Sequence, residues 1–216
     1  MMKTFLFVAS LALVMSSCKK NAETSAKVET KADTISVDDE NAGYEMNAEV
    51  TTSENYEMFI PDGYDLLAKA EGDINNDGIS DLVMVVKSQQ EKADEMPGED
   101  VSGRILILLT KDSKGMYSRA GENTNAILAK NEGGAASDDP FEGIEITPGK
   151  FNITHMGGAA ERWSYEHVFT YDKAANAWFL TEKNTGSFST MDPTAENMEK
   201  ETPKQFGKIN FLDFKL

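Results

Sequence analysis

The segment GDINNDGISDLVMVV, Gly72–Val86, sets acidic and amide side chains at alternate positions and then runs into unbroken apolar sequence. Two short apolar runs, DLVMVVK at 81–87 and RILILLT at 104–110, have the pattern of strands buried on both faces and belong at the centre of a sheet. The charged stretch QQEKADEMPGEDVSG, 89–103, joins them as a loop. Further along, apolar and polar residues alternate. Phe151, Ile153 and His155 oppose Lys150, Asn152 and Thr154, and Trp163, Tyr165, His167, Phe169 and Tyr171 oppose Ser164, Glu166, Val168 and Thr170, as in strands with one wetter face. DKAANA, 172–177, has the length and the Asp and Asn content of a hairpin loop. Alternation over Ile209–Phe214 predicts a closing C-terminal strand, and the acidic, proline-containing MDPTAENMEKETP before it, 191–203, predicts a surface loop. ENTNAILAK, 122–130, has room for two helical turns, and no longer segment sustains an apolar helical face. The expected fold is mainly β: two antiparallel β-meanders, separated by GGAASDDP at 133–140, packed as one domain with little helix. An α+β arrangement is the alternative.

Upstream of this domain the composition changes twice. Residues 1–17 combine a cation at Lys3, an apolar segment over 5–15 and small residues at Ser16 and Ser17, which is the make-up of a secretory signal. The apolar part is well short of the roughly 20 residues that span a bilayer. Cys18 follows at once and is the only cysteine in the chain, so it has no intramolecular partner. This segment resembles a bacterial lipoprotein signal, with Met15 where that family most often has Leu. The resemblance implies that Cys18 becomes the acylated first residue and tethers an exported protein in the cell envelope, at the outer membrane. Several acyl chains at about 0.8 kcal/mol per buried CH₂ make such an anchor durable. Residues 18–55 then hold the lipidated cysteine and a spacer of Lys, Glu, Asp, Thr, Ser, Asn and Ala, too poor in apolar residues to offset chain entropy and expected to be disordered. Residues 56–216 are the length of one domain. The net charge of −16 disfavours contact with nucleic acid and anionic headgroups while leaving cation binding open.

The acidic loop offers that binding. Asp73, Asn75 and Asp77 stand first, third and fifth, Gly78 sixth, Ile79 seventh and Asp81 ninth. Alternate oxygens converge only if the chain curls tightly, and Gly78 permits the curl. Calcium takes six to eight oxygen ligands, which four side chains, the Ile79 carbonyl and one or two waters supply. The helix–loop–helix calcium motif would need Glu at the twelfth position, which is Met84 here. Without that Glu, an affinity of about 10⁻⁴ to 10⁻³ M and a structural role are expected. The competing reading is that the Asn and Asp side chains only make turns with their own backbone.

The front half of a calcium motif mounted on strands resembles the FG-GAP or VCBS-type repeats of secreted and adhesive proteins, over Leu66–Arg119. That resemblance implies calcium at Asp73, Asn75, Asp77, Asp81 and the Ile79 carbonyl. Such repeats usually come in series to close a propeller, and this chain has one copy. FIPDGYDLL at 59–67, the loop itself, DPFEGIEITPGKFNI at 139–153, and GGAAERWSYEHVFTYD at 157–172 followed by WFL together resemble a family of small secreted proteins and lipoproteins of Bacteroidetes-type bacteria. The family is uncharacterised in activity, so the resemblance speaks to location and fold.

No serine-elbow, zinc-hydrolase, P-loop or dinucleotide signature is present, so the chain is read as a non-enzyme. His167 shares a face with aromatic residues and is expected in the core, and His155 is expected at a strand end near the surface. Trp163, Tyr165 and Trp178 are candidates for stacking on a sugar or peptide, with a core role as the alternative. Asp138, Asp139, Glu142 and Glu145 are the carboxylates a small hydrolase would use. Three functions follow in order: a tethered, calcium-stabilised module that binds an envelope protein or glycan, a structural or accessory lipoprotein without a ligand, and a carboxylate-dependent hydrolase.

Overall fold

A computed structural model describes residues 51–91, 103–134, 138–192 and 196–216, all within a compact unit that runs from Met46 to Leu216. The signal segment 1–17, Cys18 and the spacer to residue 50 lie outside the described residues. No described helix is long and apolar enough to cross a membrane.

The fold is mainly β. Among the described residues the first meander pairs β1 (Tyr64–Gly72), β2 (Asp81–Ser88), β3 (Arg104–Lys111) and β4 (Tyr117–Asn123) in sequence order, all antiparallel. The second pairs β5 (Phe141–Thr147), β6 (Lys150–Gly158), β7 (Glu161–Asp172), β8 (Ala177–Ser189) and β9 (Asn197–Glu201) in the same way. The unbroken apolar runs are the inner strands β2 and β3, as their composition requires. Val83, Val85, Leu106 and Leu108 point toward the second sheet, where Phe151, Ile153, Phe169, Trp178 and Leu180 meet them. Leu82, Met84, Val86, Ile107 and Leu109 point the other way and are covered by Phe59, Tyr117 and the partly buried Tyr56, Ile60, Tyr64 and Leu66. Each fully buried aliphatic side chain contributes about 1.5–3 kcal/mol, so burial along these two strands is a large favourable contribution to folding.

Ordered structure begins before residue 56. Ser53 exchanges both backbone hydrogen bonds with Tyr117, and the Asn55 side chain caps the 3₁₀ turn Tyr56–Phe59 by accepting from the Glu57 N–H. The hairpin at 172–177 is present: Asp172 Oδ1 accepts the N–H groups of Ala174 and Ala175, and Asn176 takes a positive φ of 49°.

Three local expectations are corrected. Residues 122–130 form no α-helix; β4 runs to Asn123, bends follow, and a 3₁₀ turn spans Lys130–Gly133. Asn123 explains why the strand ends there. Its side chain donates to the carbonyls of Phe211 and Phe214 and accepts the Asn125 N–H, an arrangement that turns the chain. The expected surface loop at 191–203 contains β9, which takes up the free edge of β8 from Lys183 to Ser187. The C-terminal residues 209–214 form a short tie in place of a strand. Leu180 N–H donates to the Ile209 carbonyl, Asn210 makes an isolated bridge with Phe179, and Phe211–Asp213 is a 3₁₀ turn. Phe211 and Phe214 are thereby inserted between the sheets, and Leu216 N–H reaches the Asn125 carbonyl.

Candidate metal centre

The β1–β2 loop curls as its sequence requires. Asn76 and Gly78 both have positive φ, 56° and 88°, and the acidic side chains fold onto loop N–H groups. Asp73 accepts from Asp77 N (3.1 Å) and Gly78 N (2.9 Å), Asn75 Oδ1 from Asp77 N (3.0 Å), and Asp77 Oδ1 from Ile79 N (2.8 Å). Asn75 Nδ2 donates to Asp77 Oδ2 at 2.9 Å. Asp81 differs from the others in being fully buried. Its Oδ2 accepts Ile74 N at 3.1 Å and its Oδ1 accepts Lys111 N at 2.9 Å, so one carboxylate ties the loop to the end of β3. Burial pushes the Asp81 carboxyl above the ordinary aspartate value. The two N–H donors oppose that shift, and the negative charges of Asp77 and Asp73 add to it. Positive charge near these three groups would offset their mutual repulsion.

The loop is also where the two sheets are joined. Gly149 N–H, in the β5–β6 turn, donates to the Asp73 carbonyl at 2.8 Å. Trp178 Nε1–H, from β8, donates to the Ile74 carbonyl at 2.7 Å, and the Ile74 side chain is fully buried in the core between the sheets. Gly72 lies so close to Ile146 of β5 that a Cβ there would stand 2.5 Å from Ile146 Cγ2. A polar cavity of about 310 Å³ lies beside this joint, lined by Asn75, Thr110, Tyr171, Asn176 and Trp178 among others.

Asp73, Asn75, Asp77, Ile79 and Asp81 are thus brought into one turn, with the carboxylates directed at backbone N–H groups. Among the described residues no three His, Cys, Asp or Glu side chains make a preassembled metal cluster. The donor set is nevertheless all oxygen, the chemistry of a hard cation, and each carboxylate oxygen that accepts one N–H keeps a second lone pair. These residues therefore fit calcium in kind.

Trp163 and Tyr165 are brought together, and Trp178 lies apart from them. Trp178 pairs with Tyr171 near one end of the β7–β8 hairpin, whereas Trp163 pairs with Ser187 near the other, about 27 Å away at strand rise. Trp178 is buried, and its face meets Tyr171 at 4.9 Å between ring centres. Trp163 stacks on Tyr165 at 4.8 Å and closes over Gly157, where a Cβ would collide with the indole and with the Gly133 carbonyl.

The carboxylates have separate surroundings. Asp138, Glu142 and Glu145 are exposed. Asp139 joins Glu91 around Arg104, whose guanidinium donates Nη1 and Nη2 to Asp139 (2.8 and 2.7 Å) and Nε and Nη2 to Glu91 (2.7 and 3.1 Å). Burial alone would push the Asp139 carboxyl up; the Arg104 guanidinium and the Phe141 N–H outweigh it and hold the group below the ordinary aspartate value. This buried triad links the start of β3 to the entrance of β5, and nothing in the pattern of single residues announced it.

His167 is in the core as expected. His155 is not at the surface: it is fully buried, its ring edge-on to Phe141 at 5.7 Å. The alternation along β6 carried the correct signal, because it places His155 on the face of Phe151 and Ile153.

No family model, no curated protein and no solved structure matches this chain.

Proposed function

We propose that this chain is a lipid-tethered binding module of the bacterial envelope, exported by residues 1–17, anchored through Cys18, and stiffened by calcium at Asp73, Asn75, Asp77, Asp81 and the Ile79 carbonyl. The observation that carries the calcium reading is the position of the acidic loop. Oxygen donors gather where the Asp73 and Ile74 carbonyls hold Gly149 and Trp178 of the other sheet. A cation there neutralises the mutual repulsion of Asp73, Asp77 and Asp81 and so tightens the joint between the sheets. We read the four-stranded meander, with the loop between its first two strands, as a single FG-GAP-like repeat. The ligand is a protein or glycan of the envelope. An accessory lipoprotein with no further ligand is the second reading, and a carboxylate hydrolase the third.

Calcium titration by calorimetry, with melting curves in calcium and in chelator, tests the metal. Wild type should bind at about 10⁻⁴ to 10⁻³ M and melt higher in calcium, and Asp77→Ala should lose both effects. Absence of both in the wild type leaves the loop as a turn. Cys18→Ala should release the protein from the membrane fraction, and continued membrane association would overturn the tether. Capture of a defined partner from an envelope extract separates the binding module from the accessory reading.

A further inference from the structure

Two imidazoles sit side by side in the core, and among the described residues their Nδ1 atoms have no partners. His155 on β6 pairs with Tyr165, and His167 on β7 pairs with Ile153, so the two are diagonal neighbours on the face that meets the first sheet. Exposure is 0% for His155 and 8% for His167. His155 Nε2 accepts the Leu128 N–H at 3.3 Å, which puts the proton of the neutral ring on Nδ1. That Nδ1 is buried and has no hydrogen-bond partner among the described residues, and the same holds for His167 Nδ1. The His167 ring packs on Phe214 at 4.9 Å, and Phe214 in turn is held by Asn123 of β4. The pair therefore lies where the second sheet, the C-terminal tie and the β4–β5 connection meet.

We propose that His155 and His167 form an acid-labile joint: the domain packs only while both rings are neutral, and proton uptake by the pair opens the contact between the sheets. An imidazolium must donate from both nitrogens. The Leu128 N–H blocks Nε2 of His155, and among the described residues neither Nδ1 has an acceptor. Surrounding charges give little relief. From β3, Arg104 opposes a charge on His155, and from the entrance of β5 Asp139 favours one but is already bonded to Arg104. From β8, Lys183 opposes a charge on His167, while Glu166 of β7, which favours one, is held by Asn184. Glu91 is spent on Arg104 and Lys130 N, and Glu132 accepts from Ala129 N. Asp213 and Lys215, which flank Phe214, are exposed.

Burial, followed by the charges of His167 and Arg104, lowers the His155 value to about 4, and burial with Lys183 lowers that of His167 to about 4. Both folded values lie below the ordinary 6.5, so the unfolded chain binds more protons between these limits. Stability is complete above pH 6.5 and is lost as pH falls toward 4. Each ring then lowers the folding constant by roughly 30-fold between pH 8 and pH 5.

Urea unfolding of the full chain at pH 8, 7, 6 and 5 tests this, comparing wild type with His155→Gln/His167→Phe. Wild type should lose close to a thousand-fold in folding constant across the range, and the double variant should lose less than a tenth as much. An unchanged pH slope in the variant overturns the joint. Imidazole Cε1–H titration by NMR on folded wild type needs no variant. Neither ring should titrate above pH 5, and an ordinary midpoint near 6.5 for either one overturns the proposal even if the double variant does not fold.

Discussion

Replacement of Asp81 by Ala tests the reasoning about the loop where it is most exposed to failure. In chelator, with calcium removed, the variant loses two hydrogen bonds at once, from Ile74 N at 3.1 Å and Lys111 N at 2.9 Å, both to a carboxylate of zero exposure. A buried backbone donor left unpaired costs about 1–3 kcal/mol, so the pair costs about 2–6 kcal/mol. Part of this is returned, because the variant no longer buries a charge that Asp73 and Asp77 repel, as the raised Asp81 value indicates. The net expectation is a loss of about 3 kcal/mol. For a domain of this length that corresponds to a fall in melting temperature of roughly 6–12 °C. Urea unfolding followed by tryptophan fluorescence measures it, and Asp81→Asn should lie between wild type and Asp81→Ala because it keeps one acceptor and removes the charge. If Asp81→Ala in chelator unfolds within 0.5 kcal/mol of wild type, the carboxylate is not the tie between the loop and β3, and the account of the joint fails.

Trp178→Phe keeps most of the packed ring but leaves the Ile74 carbonyl without its donor, and should cost about 1–3 kcal/mol by urea unfolding while the sheets stay paired by circular dichroism. Arg104→Met strands Glu91 and Asp139 beside each other in a largely buried position and should cost about 3–5 kcal/mol at pH 7. The Asp139 value is depressed in the folded state, so its share of stability is present at neutral pH and lost as pH falls through that value; the Arg104→Met penalty should therefore shrink in acid. Gly157→Ala must displace both the Trp163 ring and the Gly133 carbonyl, and should lower the melting temperature and shift Trp163 emission, whereas Gly63→Ala, with open space around it, should show only the smaller cost of its positive φ.

Much of the architecture is legible in single segments, because burial on one or both faces of a strand leaves its mark on the residues of that strand alone. DLVMVVK and RILILLT are apolar without interruption since both faces of β2 and β3 are covered, and the alternation from Lys150 to Tyr171 reports a sheet with one face on the core. The curl of the Gly72–Asp81 loop is legible for the same reason: Asn and Asp side chains reach N–H groups only a few residues away, and Gly78 takes the positive φ without strain.

Contacts between residues far apart in sequence follow from packing and leave no mark on single segments. An edge strand such as β9 has an acidic, loop-like composition, and it is a strand because β8 offers it an edge. Residues 209–214 alternate like a strand, yet Asn123 draws the Phe211 and Phe214 carbonyls into a turn. His155 is inward by its alternation, but its surroundings are completed by Phe141 and Leu128, which arrive from two other segments. The acidic residues of the loop are legible as oxygen donors from their spacing alone. Their place at the junction of the two sheets is not, because Gly149 and Trp178 reach Asp73 and Ile74 only after both meanders have folded and packed.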